Sequence, residues 1–246
     1  MKRILSISMI FALVFSLASC KGKSNSDTTT VPAPVIEEST HSKEFKDESG
    51  RVIFTVDVTL PQIKDNCDPK VAEYINGVAL GIFNNACDFA ESNLESAAKS
   101  RSPWTKTVTF ETTLLNDRYA CFLVSDLFSL YGDIPTLSTV CFDIQKGERC
   151  YLNDFACVPE DPEGCFESFL NDILAPVLPV RFHNPEYITE EVLQRLDKIV
   201  DPDNFYLTEK GMGFYFNKNN VHYYLQGNYK VTFTWDELTG CYQLPE

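Results

Sequence analysis

Thiols, imidazoles and carboxylates are the groups here that could do chemistry: nine cysteines, three histidines and 35 acidic residues in a chain of 246. Setting Cys20 aside, eight cysteines remain: Cys67, Cys87, Cys121, Cys141, Cys150, Cys157, Cys165 and Cys241. No two are spaced as C-x-x-C, which argues against a zinc ribbon or a dithiol redox site. His41, His183 and His222 lie too far apart for a local metal motif. An even number of thiols in an exported chain fits disulfides instead. Cys157 and Cys165 flank the loop Val158-Pro159-Glu160-Asp161-Pro162-Glu163-Gly164, whose ends could approach to bonding distance, and they are the favoured disulfide pair. Buried free thiols, packing as small apolar residues, are the alternative for the others.

A serine nucleophile needs a base and a strained turn, but G-x-S-x-G is absent and His41 falls in a segment that reads as a tether. Cys157 or Cys165 with His183 could be drawn as a thiol–imidazole pair, and a structural role outweighs that. Asp201-Pro202-Asp203 and Asp236-Glu237 could be drawn as acid and base, yet spacing alone raises no pKa, and solvated surface is their default. Gly211-Met212-Gly213 lacks the further glycine and the lysine of a phosphate loop. The expectation is a protein with no catalytic residue, no metal and no cofactor.

Cys20 has a different setting. Lys2 and Arg3 run into an apolar stretch over 4–15 that ends Leu17-Ala18-Ser19-Cys20. A charged, then apolar, then small-residue start is the plan of a secretory signal, and roughly a dozen apolar residues are too few to span a bilayer permanently. The ending resembles a bacterial lipobox, which predicts cleavage before Cys20 and acylation of its thiol, palmitate included. Two or three acyl chains, at about 0.8 kcal/mol per buried CH₂, would anchor the protein nearly permanently. Residues 1–20 therefore read as a lipoprotein signal peptide. Residues 21–43 read as a flexible tether, without aromatics and rich in Ser, Thr and Pro, its ends roughly 25–30 Å apart. The formal charge of −14 becomes two units more negative once Lys2 and Arg3 are lost, which argues against nucleic acid and anionic lipid as partners.

The elements that must position the remaining groups follow from periodicity. Alternation of Phe54, Val56, Val58 and Leu60 against Ile53, Thr55, Asp57 and Thr59 predicts a half-buried strand, ended by Pro61. Asp68-Pro69 is a helix start, and Val71, Tyr74, Ile75, Val78, Ile82, Ala86, Phe89 and Ala90 predict helix to about residue 99. Within it Gly77 and Gly81 suggest close packing on a sheet, while Asn76, Asn84 and Asn85 exclude a membrane span. Strands at 105–115 and 118–128 are joined by Asn116-Asp117, residues that tolerate a left-handed turn. Around Gln145-Lys146-Gly147 a three-residue loop would pair Ile144 with Glu148 and Phe142 with Cys150. That register puts Cys141 and Cys150 on opposite faces, unbonded to each other. A helix through Phe166, Phe169, Leu170, Ile173 and Leu174 is stopped by Pro176, and another runs through Val192, Leu196 and Ile199. Strands at 205–208, 212–217 and 229–235 close the chain. The class is α+β, with antiparallel sheets, a long N-terminal helix and a helical block packed on them.

Residues Phe205-Tyr206-Leu207-Thr208-Glu209-Lys210-Gly211-Met212-Gly213-Phe214-Tyr215-Phe216-Asn217, with Val221-His222-Tyr223-Tyr224-Leu225-Gln226-Gly227, resemble the C-terminal half of the DUF3298 domain. So does the hairpin Phe142-Asp143-Ile144-Gln145-Lys146-Gly147-Glu148 with Leu152-Asn153-Asp154-Phe155. Leu60-Pro61-Gln62-Ile63 and Ile75-Asn76 are similar to the DUF4163 segment that precedes that domain. The resemblance divides the folded part into 44–117, DUF4163-like, and 118–246, DUF3298-like, as one compact unit. It implies an exported module of bacterial lipoproteins, found also beside peptidoglycan deacetylase domains (the PdaC type) and as the outer part of RsiV-type anti-sigma factors, which bind lysozyme. Where many relatives carry Gly-Gly-Ala-His-Pro, this chain has Tyr131-Gly132-Asp133-Ile134-Pro135, keeping the turn glycine and the proline but replacing the histidine with Ile134.

Tyr131, Gly132 and Asp133 are therefore one set of ligand-binding candidates. Tyr223 and Tyr224 are another, since exposed tyrosines can stack on sugars or anchor a protein. The expected function is a lipid-anchored envelope protein with a non-catalytic binding domain, in the outer membrane facing the periplasm. A binder or sensor of lysozyme-like basic proteins is the first alternative, and an envelope-glycan hydrolase or deacetylase the second. Partners are the membrane, through lipid on Cys20, and a basic protein or peptidoglycan.

Overall fold

The computed structural model describes residues 32–132, 134–181, 188–217 and 228–245. The leader with Cys20, and Asp133, His183, His222, Tyr223 and Tyr224, lie outside these. No helix among the described residues is long and apolar enough to cross a membrane.

Strands β1 (Val35–Lys46) and β2 (Val52–Asp65) form an antiparallel hairpin, so the segment expected as tether up to residue 43 is in part a strand. Its polar composition misled because β1 is an edge strand, held by backbone bonds to β2 and facing water with Glu37, Glu38, Lys43 and Glu44. Asp47 makes the turn. Its carboxylate accepts from the Ser49 hydroxyl and from Arg51 Nε, which hold its pKa down to about 2.

β2 continues past Pro61, where the sequence predicts its end. Ile63, two residues on, points its backbone away from β1 and into an amide of the following helix. Asn76 Oδ1 accepts from Ile63 N at 2.8 Å, and Asn76 Nδ2 donates to Ile63 O at 3.1 Å. Pro61 shares that parity, and β3 pairs with β2 only as far as Val58, so the missing N–H costs no ladder bond.

Helix α1 (Pro69–Ala98) begins as the sequence predicts, with Asp68 accepting from Lys70 N at 2.9 Å and Val71 N at 3.4 Å. It carries the chain back so that β3 (Trp104–Leu115) runs parallel to β2, the one parallel pair in the sheet. β4 (Tyr119–Phe128), β5 (Thr136–Asp143) and β6 (Glu148–Arg149) follow antiparallel, completing a six-stranded sheet in chain order. The β3–β4 turn is closed by Asn116 Oδ1, which accepts from Arg118 N and Tyr119 N, and neither Asn116 nor Asp117 takes a left-handed backbone.

At the β5–β6 turn Gly147 is left-handed, as expected, with φ of 72°, but the register differs by one residue. Phe142 pairs with Arg149 and Asp143 with Glu148, around a four-residue turn closed by Gly147 N to Asp143 O at 2.8 Å. That shift reverses the predicted faces. Cys150 joins Cys141 on one side, while Phe142 and Ile144 point to the other.

A helical block follows: α2 (Pro162–Ser168), a π turn (Phe169–Leu174) and α3 (Ala175–Arg181). Pro176 does not stop it. The wider turn ahead of the proline moves the carbonyl that its ring would otherwise strike. Thr189 caps α4 (Glu190–Leu193) and α5 (Leu196–Ile199) follows, two short turns in place of one helix. β7 (Phe205–Thr208), β8 (Gly211–Phe216) and β9 (Tyr229–Thr234) form an antiparallel three-stranded sheet.

The result is α+β, layered on both faces of the larger sheet. Alternation along β4 sends Ala120, Phe122 and Val124 toward the α1 side, and Tyr119, Cys121 and Leu123 toward β7–β9 and the helical block. The expected boundary at 117/118 falls inside the β3–β4 hairpin, so one sheet runs through both segments.

Candidate functional site

The loop between β4 and β5 carries two adjacent large apolar groups open to solvent. Tyr131 is 75% exposed and Leu130 53%. Their single 3₁₀ turn, Ser129–Tyr131, is pinned by Ser129 Oγ, which accepts from Thr105 N at 2.9 Å. Gly132 follows with φ of 96°, which only glycine adopts without strain. The ring of Tyr131 stands edge-on to Phe128 at 5.1 Å, and Phe128 packs in turn on Phe54, Phe89 and Trp104. The exposed tyrosine thus rests on a fixed aromatic base. Beside it, Asn217 exchanges two bonds with Leu137, at 2.7 and 2.9 Å, and Asn228 Nδ2 donates to Pro135 O at 2.5 Å. The residues flanking 218–227 are therefore anchored at the start of β5, next to the Tyr131–Gly132 loop. Of the candidate ligand residues, Tyr131 and Gly132 are placed here, while Asp133, Tyr223 and Tyr224 fall outside the described residues.

A second concavity, about 390 Å³, lies at the N-terminal end of the helical block. Asp161, Glu167 and Asp172 line it with Ser168 and Asn171, beside the half-exposed Val158. Asp161 is already engaged as the cap of α2, accepting from Gly164 N at 3.0 Å.

The cysteines sort into groups that sequence spacing does not show. Cys121 and Cys141 are cross-strand partners on β4 and β5, and the Cys141 thiol meets those of Cys121 and Cys150. Hydrogen bonds with Cys121 and Cys150, and burial, push the Cys141 thiol well above its ordinary pKa, the reverse of an activated nucleophile. Cys121 Sγ also accepts from Leu207 N at 3.3 Å, tying the two sheets together. Cys157 and Cys165 are both free thiols, not the predicted disulfide. Cys157 N donates to Cys241 O at 2.9 Å, and Cys165 Sγ faces Val158 O at 4.0 Å, so the loop ends come near each other as expected while the two thiols stay unbonded.

His41, expected in a tether, sits on β1 with Nε2 3.0 Å from Ser39 Oγ and its ring against Phe83. A serine next to an imidazole resembles the start of a catalytic pair. Its other ring nitrogen has no orienting partner among the described residues, so the pair reads as packing of an edge strand. Among the described residues no group of His, Cys, Asp and Glu is arranged to hold a metal ion.

A mixed α+β domain with an antiparallel-rich sheet, layered on both faces, is the class this geometry defines. Residues 169–236, from the π turn through β9, match the family model described as a protein of unknown function, DUF3298, so the chain carries a DUF3298 domain. Two solved structures share the fold. One is a member of the DUF3298 family from Bacteroides fragilis, 12% identical, covering 88% of this chain and 96% of its own, with a TM-score of 0.60. The other is a DUF3298 family protein from Pseudomonas aeruginosa, 12% identical, covering 85% of this chain and 94% of its own, with a TM-score of 0.57. No curated protein matches the chain.

Proposed function

We propose that this is a lipid-anchored protein of the bacterial envelope whose folded domain binds a partner and carries out no reaction. The observation that carries the binding reading is Tyr131 with Leu130, large apolar groups held open to solvent on a glycine-turned loop over a packed aromatic base. Anchoring is supported by Lys2, Arg3, the apolar stretch and Leu17-Ala18-Ser19-Cys20. The outer membrane facing the periplasm is the proposed location. The further likeness of residues 44–117 to DUF4163, and of the whole to the RsiV and PdaC modules, belongs to this reading.

The test is affinity capture from an envelope extract with the full chain in detergent, run beside a Leu130→Ala/Tyr131→Ala double variant. A partner retained by the first and lost by the second supports the reading. Identical capture by both, or metal-dependent release of acetate from peptidoglycan by the purified chain, overturns it. Cys20→Ala tests the anchor, with release from the membrane fraction expected.

A second reading, capture of a basic lysozyme-like protein, is favoured by the −14 charge and by the acidic concavity at Asp161, Glu167 and Asp172. Its signature is binding of a basic muramidase that fails at high ionic strength and is insensitive to the Tyr131 variant.

A further inference from the structure

Three thiols meet on the face of the larger sheet that carries β7–β9. Cys121 on β4, Cys141 on β5 and Cys150 just beyond β6 are all buried in one cluster, and the Cys141 thiol makes hydrogen bonds with both of the others. Each is a free thiol. Three sulfurs in mutual reach can make one bond among them, and the backbone sets which.

In a strand the N–H and C=O of one residue point to the same side. A residue bonded to one neighbouring strand therefore stands in a non-hydrogen-bonded pair with the other. Cys141 O accepts from Cys150 N at 2.8 Å, so Cys141 is turned toward β6. Cys121 O accepts from Thr113 Oγ1 at 3.2 Å, so Cys121 is turned toward β3. Cys121 and Cys141 are in register across β4 and β5, and with their carbonyls turned away from each other they form a non-hydrogen-bonded pair. Cys141 and Cys150, joined by that backbone bond, form a hydrogen-bonded one.

The two kinds of pair differ in reach. Across a non-hydrogen-bonded pair the Cα atoms lie about 4.5 Å apart and the side chains stand closest, against about 5.5 Å in the hydrogen-bonded kind. A disulfide needs its Cβ atoms within about 3.5–4.5 Å, which favours Cys121 with Cys141 over Cys141 with Cys150.

We propose that Cys121 and Cys141 are a site of covalent modification, a disulfide formed as the chain folds that staples β4 to β5 and leaves Cys150 a thiol. The oxidant is a small disulfide. The thiolate of one cysteine attacks it and displaces one reagent thiol, and the thiolate of the other attacks the resulting mixed disulfide and displaces the second. The two cysteine protons pass to the two leaving sulfurs, and the two electrons given up by the cysteines reduce the reagent disulfide to two thiols. Because the thiols are buried in the folded chain, the exchange takes place while the chain is unfolded or open, and folding then selects the pair. The ring of chain so closed carries Leu130, Tyr131 and Gly132, and the bond holds the base of that exposed loop.

The full chain in detergent is reduced, unfolded and refolded into a mixture of glutathione disulfide and glutathione. The folded fraction is isolated, its free thiols are blocked in denaturant, and the linked peptides are mapped by mass spectrometry. A Cys121–Cys141 link is expected in at least about tenfold higher yield than any link to Cys150. Cys150→Ala is expected to keep it, and the oxidised chain to unfold at a higher denaturant concentration than the same chain after reduction. Recovery of Cys121 and Cys141 as blocked thiols overturns the proposal. So does a dominant Cys141–Cys150 link, or loss of the Cys121–Cys141 link from folded Cys150→Ala. Neither an envelope location nor binding at Tyr131 enters this test, so its outcome is separate from theirs.

Discussion

On one face of the six-stranded sheet lies a single helix, α1, and on the other a second sheet with a helical block. Each side is organised around stacked phenylalanines. Phe54 stacks on Phe128 at 5.8 Å beneath α1, and Phe169 stacks on Phe214 at 4.3 Å on the far side. What differs is the room left beyond the contact. α1 has its back to water, and a Cβ added at Gly77 or Gly81 would meet nothing within 4 Å. β8 has no free side. A Cβ at Gly213 would lie 2.1 Å from the ring of its cross-strand partner Tyr206, and one at Gly211 would lie 1.8 Å from Phe233 O. A helix on a sheet buries one stripe, whereas a strand between two layers buries both faces, so glycine is optional in the first place and required in the second.

The largest effects should come from emptying the stacked pairs. Phe54→Ala and Phe214→Ala are each expected to cost about 3–5 kcal/mol in denaturant unfolding, and a loss below 1 kcal/mol at either would mean that its layer is not part of the cooperative core. Gly213→Ala comes next, at about 1–3 kcal/mol, because Tyr206 must swing off the strand. An unchanged midpoint would refute the closed geometry of β8.

Alkaline pH should separate the layers further. Tyr215 and Tyr119, both on the β7–β9 side, are pushed up by burial to about 12 from 10. A folded pKa above the unfolded one contributes stability that is complete below pH 10 and disappears as pH rises toward 12. Stability measured across that interval should fall, and Tyr215→Phe should flatten the fall. An equally steep profile in the variant would remove Tyr215 as a cause.

The smallest effect has the opposite sign. Gly77→Ala and Gly81→Ala should each stabilise by about 0.5–1 kcal/mol, since both positions are helical and open. Destabilisation would restore the close packing that their spacing suggests and the structure does not show.

How far the fold could be read depended on the range of the interactions. The α1 cap at Asp68, the strands of β3 and β4 and the left-handed Gly147 were all legible, because each is set by residues within a few positions. Pro61 and Pro176 were misread as stops, because whether a missing N–H costs anything depends on what stands opposite. β1 was hidden because an edge strand can be polar throughout. At the candidate site, Tyr131 and Gly132 were both legible only through family likeness.

The sequence alone determined the alternation, the helix caps and the acidic balance, all of them readable from composition or from short stretches of chain. Tertiary structure decided the register of β5 against β6, and with it which thiols share a face. It also decided which glycines are confined. Those depend on the distance between groups far apart along the chain, which packing sets and neighbouring residues do not encode.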